Sequence, residues 1–144
     1  MSKPLRNRKR TILLDTSVAV ALCSQDHSAH HAALEAVGEQ TVGLAGHAWF
    51  ETFSVLTRLP PPQRRSTADV VTLLRENFPA TVFLSETTQR MFTEELDSML
   101  IGGGAIYDGL VALAARTAGL PLVSRDRRAA STYASMNVDV SYIH

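Results

Sequence analysis

The sequence predicts an α/β domain in three layers, a parallel sheet between two layers of helices. Short apolar runs alternate with segments of helical period along the whole chain, which is the pattern of strand–helix–strand crossovers. Those runs are continuously apolar rather than alternating, as in strands buried on both faces. With 144 residues, 45% of them apolar and 19% charged, the chain is large enough for one ordinary core and too apolar to stay disordered.

Thr11 to Asp15 (TILLD) reads as the first buried strand. A helix of Ala, Val and Leu starts at Ser17, and Asp26 is placed to cap a second that runs to Gly38. Thr41 to Ala45 (TVGLA) is the second strand, and His47 to Leu59 is a helix stopped by Pro60 to Pro62. Ser66 to Asn77 forms another helix, followed by a third strand at Thr81 to Ser85 (TVFLS). Thr87 to Ile101 is a long helical segment ended by Gly102, Gly103 and Gly104. Ala105 to Ala118 has helical spacing at Ile106, Leu110, Leu113 and Ala114, with Gly119 as its stop. Pro121 to Ser124 (PLVS) is the fourth strand, Arg128 to Ser135 a short helix, and Val138 to Ile143 a final strand. No repeat or linker interrupts this series, so residues 11–144 are expected to form one domain behind a basic leader, residues 1–10. Right-handed crossovers favour the strand order 3-2-1-4-5, with the switch point between the strands ending at Asp15 and Ser124.

The formal net charge of zero hides an asymmetry. Five of the 14 basic side chains lie in the first ten residues, leaving 9 basic against 14 acidic in the rest, a formal charge of −5. The leader can touch nucleic acid or an acidic partner, or act as a solubilising tail. Followed by the apolar run to Cys23, it imitates a secretory signal, but Asp15 sits in the middle of that run. No apolar stretch is long enough to cross a bilayer, and the expected location is cytoplasmic. Cys23, the only cysteine, rules out a disulfide within one chain and reads as a small core residue.

Ligands of such sheets bind beyond the carboxyl ends of the strands, and topology sends four acids there. Asp15 ends the first strand and Asp126 follows the fourth by two residues. Glu51 lies about one turn into the helix after the second strand, and Asp108 stands near the start of the helix that returns to the fourth. Like charges so gathered repel, and one would be driven to take a proton unless a cation intervened. Mg²⁺ or Mn²⁺ accepts hard oxygen ligands and phosphate oxygens, which suits hydrolysis of a phosphodiester.

Each acid taken singly has another use. Asp15 can cap the following helix, Asp108 can answer a helix dipole, and Asp126 can pair with Arg125, Arg127 or Arg128 on the surface. Glu51, between Phe50 and Phe53, has no such obvious partner. Thr16, Ser17 and Ser124 offer hydroxyls to a ligand carboxylate or a phosphate, or serve as caps. Arg125, Arg127 and Arg128 can neutralise phosphate.

Four segments resemble the PIN-domain ribonucleases, specifically the VapC-type toxins of prokaryotic toxin–antitoxin pairs. They are ILLDTSVAVAL from Ile12, HAWFETFSVLTRLP from His47, IGGGAIYDGLVALAA from Ile101 and LVSRDRRA from Leu122, in the family's order and spacing. The resemblance implies a PIN-like fold and an acidic metal site of Asp15, Glu51, Asp108 and Asp126. It further implies a Mg²⁺- or Mn²⁺-dependent endoribonuclease leaving a 3′-hydroxyl and a 5′-phosphate, a homodimer, and inhibition by a cognate antitoxin. Ser124 stands where the family usually has threonine, which keeps the hydroxyl, and the leader is atypical of the family.

Other readings fit less well. His27, His30 and His31 lack further ligands at zinc spacing. Gly102 to Gly104 are not followed by the Lys and Ser or Thr of a phosphate-binding loop. Trp49, Phe50, Phe53 and Tyr107 can stack on bases, but Phe50 and Phe53 read as core. A receiver-like phosphoacceptor needs a lysine near the end of the sheet, and the lysines here are Lys3 and Lys9. A haloacid-dehalogenase-like phosphatase needs an acid where Ser17 stands. Two readings stay beside the toxin nuclease: a housekeeping RNA-processing PIN nuclease and a non-catalytic RNA-binding module.

Overall fold

Strand β1 (Thr11–Leu14) lies at the centre of a wholly parallel sheet, and successive residues face opposite sides. Ile12 and Leu14 join one core cluster while Leu13 joins another. The computed structural model describes residues 9–144; apart from Lys9 and Arg10, the expected leader lies outside the described residues. From β1 the chain runs through α1 (Thr16–Cys23), α2 (His30–Val37), β2 (Thr41–Leu44), α3 (His47–Thr57), α4 (Thr67–Asn77), α5 (Glu86–Met99) and α6 (Ala105–Ala118). It closes with β3 (Leu122–Ser124), a 3₁₀ turn at Arg127–Ala129, α7 (Ala130–Ser135) and β4 (Val140–Tyr142).

The expected three layers are present. One core packs α1, α2, α4 and the end of α3 against Ile12, Leu14 and Val123. The other packs α5, α6, α7 and the start of α3 against Leu13 and Leu122. Leu13, Leu14, Leu44 and Leu122 are fully buried, and each such side chain contributes about 1.5–3 kcal/mol. Among the described residues no helix is long and apolar enough to cross a membrane.

The strand order is β2-β1-β3-β4, four strands where the sequence suggested five. The expected strand Thr81 to Ser85 keeps its place beside β2 but shrinks to one bridge, Ala45 to Val82. Its ends are engaged elsewhere. The Thr81 hydroxyl accepts the Leu44 N–H at 3.0 Å, and Ser85 caps α5 by accepting the Thr88 N–H at 3.1 Å. The chain also crosses β2 too closely for any side chain at Gly43, where a Cβ would lie 2.1 Å from the Ala80 carbonyl carbon.

Several boundaries differ for local reasons. Asp26 does not cap α2: the chain turns at His27, whose N–H donates to the Ser24 carbonyl and whose Nδ1 accepts the Ala29 N–H at 3.0 Å. Helix α3 stops at Thr57, before the prolines, and α5 ends at Leu100 in the left-handed region (φ 56°), ahead of the three glycines. Helix α6 has the expected limits, closed by Gly119 at φ 65°. Phe50, read as core, is 56% exposed, whereas Phe53 packs against the first core. Cys23 is only half-buried, and burial still pushes its thiol up to about 11, which keeps it protonated and unreactive.

Candidate functional site

Asp15 follows β1 directly and is only 4% exposed. Because the chain turns at once into α1, its carboxylate caps that helix, accepting the Val18 N–H at 3.4 Å. The Ser17 hydroxyl donates to the same oxygen at 2.5 Å, and the Tyr133 hydroxyl donates to the other at 3.0 Å. Capping and site membership, alternatives in the sequence, coexist here. All these donors are neutral, and among the described residues no basic side chain forms an ion pair with Asp15. Burial pushes its carboxyl above the usual range, while hydrogen bonds from Ser124, Ser17, Tyr133 and Val18 pull it back.

The hydroxyls expected to support the acids tie two loops together. Ser17 Oγ also accepts the Arg125 N–H at 2.8 Å, joining the start of α1 to the end of β3. Ser124, fully buried, accepts the Asp126 N–H at 2.9 Å. The Thr16 hydroxyl faces Glu51 closely enough to favour its charged form, yet it is buried without a partner at hydrogen-bonding geometry. Arg125 Nε is likewise buried and unpartnered within the described residues.

Glu51 and Asp108 reach the same rim from helices. Glu51 is one turn into α3, and its carboxyl is raised by burial, by Asp108 and by Asp15. It is not the unpaired acid that the sequence suggested, because His47 Nε2 lies 3.4 Å from its Oε1. Asp108 stands in the first turn of α6, and burial, Asp126 and Asp15 raise its carboxyl against the opposing pull of Arg128. Asp126 caps the 3₁₀ turn, and its carboxylate accepts Arg128 N, Nε and Nη2 at 3.0 to 3.1 Å. That is the ion-pair use the sequence left open. Arg127 rests over the Tyr142 ring, 4.6 Å from its centroid.

Asp108 is thus repelled by Asp126 and Asp15, and Glu51 by Asp108 and Asp15, across one edge of the sheet. Among the described residues, however, no three His, Cys, Asp or Glu side chains stand close enough to hold an ion between them. What fits a divalent cation is the donor chemistry: hard carboxylate and hydroxyl oxygens, a buried acid without a cationic partner, and the free Thr16 hydroxyl. His27, His30 and His31 do not converge. His30 Nδ1 bonds the Ala21 carbonyl at 2.8 Å and His31 pairs with Glu35 at 3.0 Å.

Two contacts escaped the sequence reading. His47 and Glu51 are four apart on a helix, a spacing that brings side chains together and was there to be seen. Tyr133 lies 118 residues from Asp15, and nothing in its surroundings announces the contact.

A parallel three-layer domain with acids gathered at the carboxyl edge of its sheet defines a class of α/β protein whose ligands bind at that edge. Comparison with known proteins narrows that class: the PIN domain profile matches residues 12–134, and the chain belongs to the PIN domain family. It is 42% identical to Ribonuclease VapC27 of Mycobacterium tuberculosis over 132 residues, 92% of this chain and 96% of that protein. It is 41% identical to Ribonuclease VapC40 of the same species, over 90% of this chain and 96% of the relative. Among solved structures, VapBC2 of Rickettsia felis bound to a promoter DNA fragment superposes with a TM-score of 0.63 at 14% identity, covering 93% of this chain and 99% of that one. VapC20 of M. tuberculosis, a sarcin–ricin loop cleaving toxin, gives 0.61 at 18% identity, covering 83% of this chain and 93% of its own. At those identities the structures speak for the fold alone.

Proposed function

We propose that this chain is a metal-dependent endoribonuclease, the toxin of a toxin–antitoxin pair, working in the cytoplasm. The observation that carries the reading is a buried carboxylate, Asp15, held at the carboxyl end of the central strand by neutral donors, within the field of Glu51 and Asp108. The curated relatives, both named ribonucleases and matched over at least nine-tenths of this chain, support it.

In this proposal Asp15, Asp108 and Asp126 hold Mg²⁺ or Mn²⁺, directly or through water, and Asp126 gives up Arg128 to do so. Glu51 joins them or orients the attacking water. The ion would supply a water activated at neutral pH and stabilisation of the attacking and leaving oxygens of the phosphodiester. In the second role Glu51 would accept the water's proton at its carboxylate oxygen. Ser17, Ser124 and Tyr133 fix the Asp15 carboxylate, so it need not reorganise as charge develops. Thr16 and Arg125, each with an unpartnered buried polar atom, would contact a phosphate or a ligand carboxylate in this proposal. The neighbouring exposed Phe50 and Phe83, ring centroids 6.1 Å apart, offer an apolar surface to the homodimer that the resemblance implies.

Paired expression tests the reading. Wild type should arrest growth and cut RNA at discrete positions, and co-expression of the neighbouring gene should relieve both effects. Purified Asp15→Asn should lose at least about a hundredfold in cleavage rate, because even indirect supports of a metal site cost ten- to a hundredfold. Cleavage that persists unchanged in chelator sinks the metal-dependent mechanism. Cleavage without arrest, or arrest that the neighbour does not relieve, points to a housekeeping RNA-processing nuclease instead.

A further inference from the structure

The His47 and Tyr107 rings stack face to face, 5.0 Å between centroids and 16° between planes. Each is joined to one of the acids. His47 Nε2 lies 3.4 Å from Glu51 Oε1 on the same helix, and Tyr107 immediately precedes Asp108 in the first turn of α6. The outer member of the pair is open: Tyr107 is 52% exposed. The chain leading to it, Gly102 to Gly104, carries no side chains, and a Cβ built on any of the three meets nothing within 4 Å. The approach to α6 is therefore bare of side chains at these three positions.

We propose that Tyr107, backed by His47, is a stacking platform for one unpaired nucleobase of the RNA, beside the scissile phosphate. The inference rests on the nuclease reading and deepens it by giving the substrate a base-binding subsite. A ring already stacked on one face is held in a fixed orientation, so a base meeting its other face finds the platform preformed. Every base has an aromatic face, so the platform favours single-stranded over paired substrate without selecting a sequence. Tyr107 is a positioning residue: it sets which nucleotide lies at the acids and takes no part in the chemistry.

The test uses the full chain and a short single-stranded oligoribonucleotide carrying one 2-aminopurine, moved along the strand in separate probes. Binding is read in chelator, with the probes checked by gel to be intact, and cleavage of the same probes is then followed in Mg²⁺. Wild type and Tyr107→Phe should quench one probe position selectively with equal affinity. Tyr107→Leu and Tyr107→Ala, checked for an unchanged melting temperature, should lose that quenching and bind about 5- to 150-fold more weakly, the range that base–aromatic stacking gives. In Mg²⁺ the loss should appear mainly in KM. Wild-type affinity and quenching in Tyr107→Leu would overturn the platform, as would absence of position-selective quenching in wild type. If those same probes are cut normally, the nuclease reading survives that failure. If Tyr107-dependent quenching occurs but wild type never cuts in Mg²⁺, the platform stands and the nuclease reading falls.

Discussion

At the scale of single residues, the site is a contest between burial and charge. Asp15, Glu51 and Asp108 all have their carboxyls pushed upward, chiefly by burial and, for Glu51 and Asp108, by neighbouring acids as well. A carboxyl raised in the folded state binds its proton more tightly there than in the unfolded chain. Folding is therefore helped by that group below its ordinary value near 3.8, and the help is lost as pH rises through the raised value. At neutral pH, without a cation, ionised Asp108 is a liability. Asp108→Asn removes it, so the metal-free variant should melt above wild type at pH 7. The advantage should vanish as pH falls through the raised value, where wild-type Asp108 takes up its proton. Thermal melts of both proteins in chelator across that range check it. An equal advantage at both ends would mean that the substitution acts through packing rather than charge.

Among the elements, the least regular matters most for the sheet edge. Segment 80–82 lies across β2 with the Ala80 N–H donating to Val42 at 3.1 Å and the Val82 N–H to Leu44 at 3.1 Å, and this fit needs a residue without a Cβ at Gly43. Gly43→Ala sets a methyl against backbone that no rotamer change can clear. It should cost about 3 kcal/mol or more, the upper end for overpacking, measured as a fall in denaturant midpoint with unchanged slope. A loss below about 1 kcal/mol would show that the segment shifts freely. This region also marks where the sequence stopped being legible. TVFLS has the composition of a buried strand, but the competition of the Thr81 and Ser85 side chains for main-chain groups depends on where β2 and α5 lie. Helices α4 and α6 were readable because their stops and caps are local: Ser66 accepts the Asp69 N–H at 3.1 Å, and Gly119 adopts a positive φ. The placement of the four acids at one edge was legible through topology, since each follows a strand or lies in the first turns of a helix there. Of their partners, Tyr133 was not, because it depends on how α7 settles against the sheet, whereas the Arg128 fork on Asp126 was among the pairings the sequence offered.

For the whole molecule, the acidic edge joins parts that are otherwise held by separate cores. Asp15 belongs to the centre of the sheet, Glu51 to α3 between the two cores, Asp108 to α6, and Asp126 to the loop before α7. Repulsion among them acts between these elements, and beyond residue 10 the chain has a formal charge of −5 to add to it. A divalent ion held by these acids would replace repulsion with a shared tie, and binding to the folded state alone adds stability as RT ln(1 + [L]/Kd). At a hundred times Kd that is about 2.7 kcal/mol, or roughly 5–10 °C in melting temperature. Mg²⁺ or Mn²⁺ should therefore raise the melting temperature by that order, with amide exchange slowing at the starts of α3 and α6. NaCl at matched ionic strength screens charges only beyond about 10 Å at 0.1 M and should reproduce a minor part of the rise. Asp15→Asn should lose most of it while keeping the response to NaCl. If NaCl matches the divalent salts in wild type, the edge is responding to screening and holds no ion.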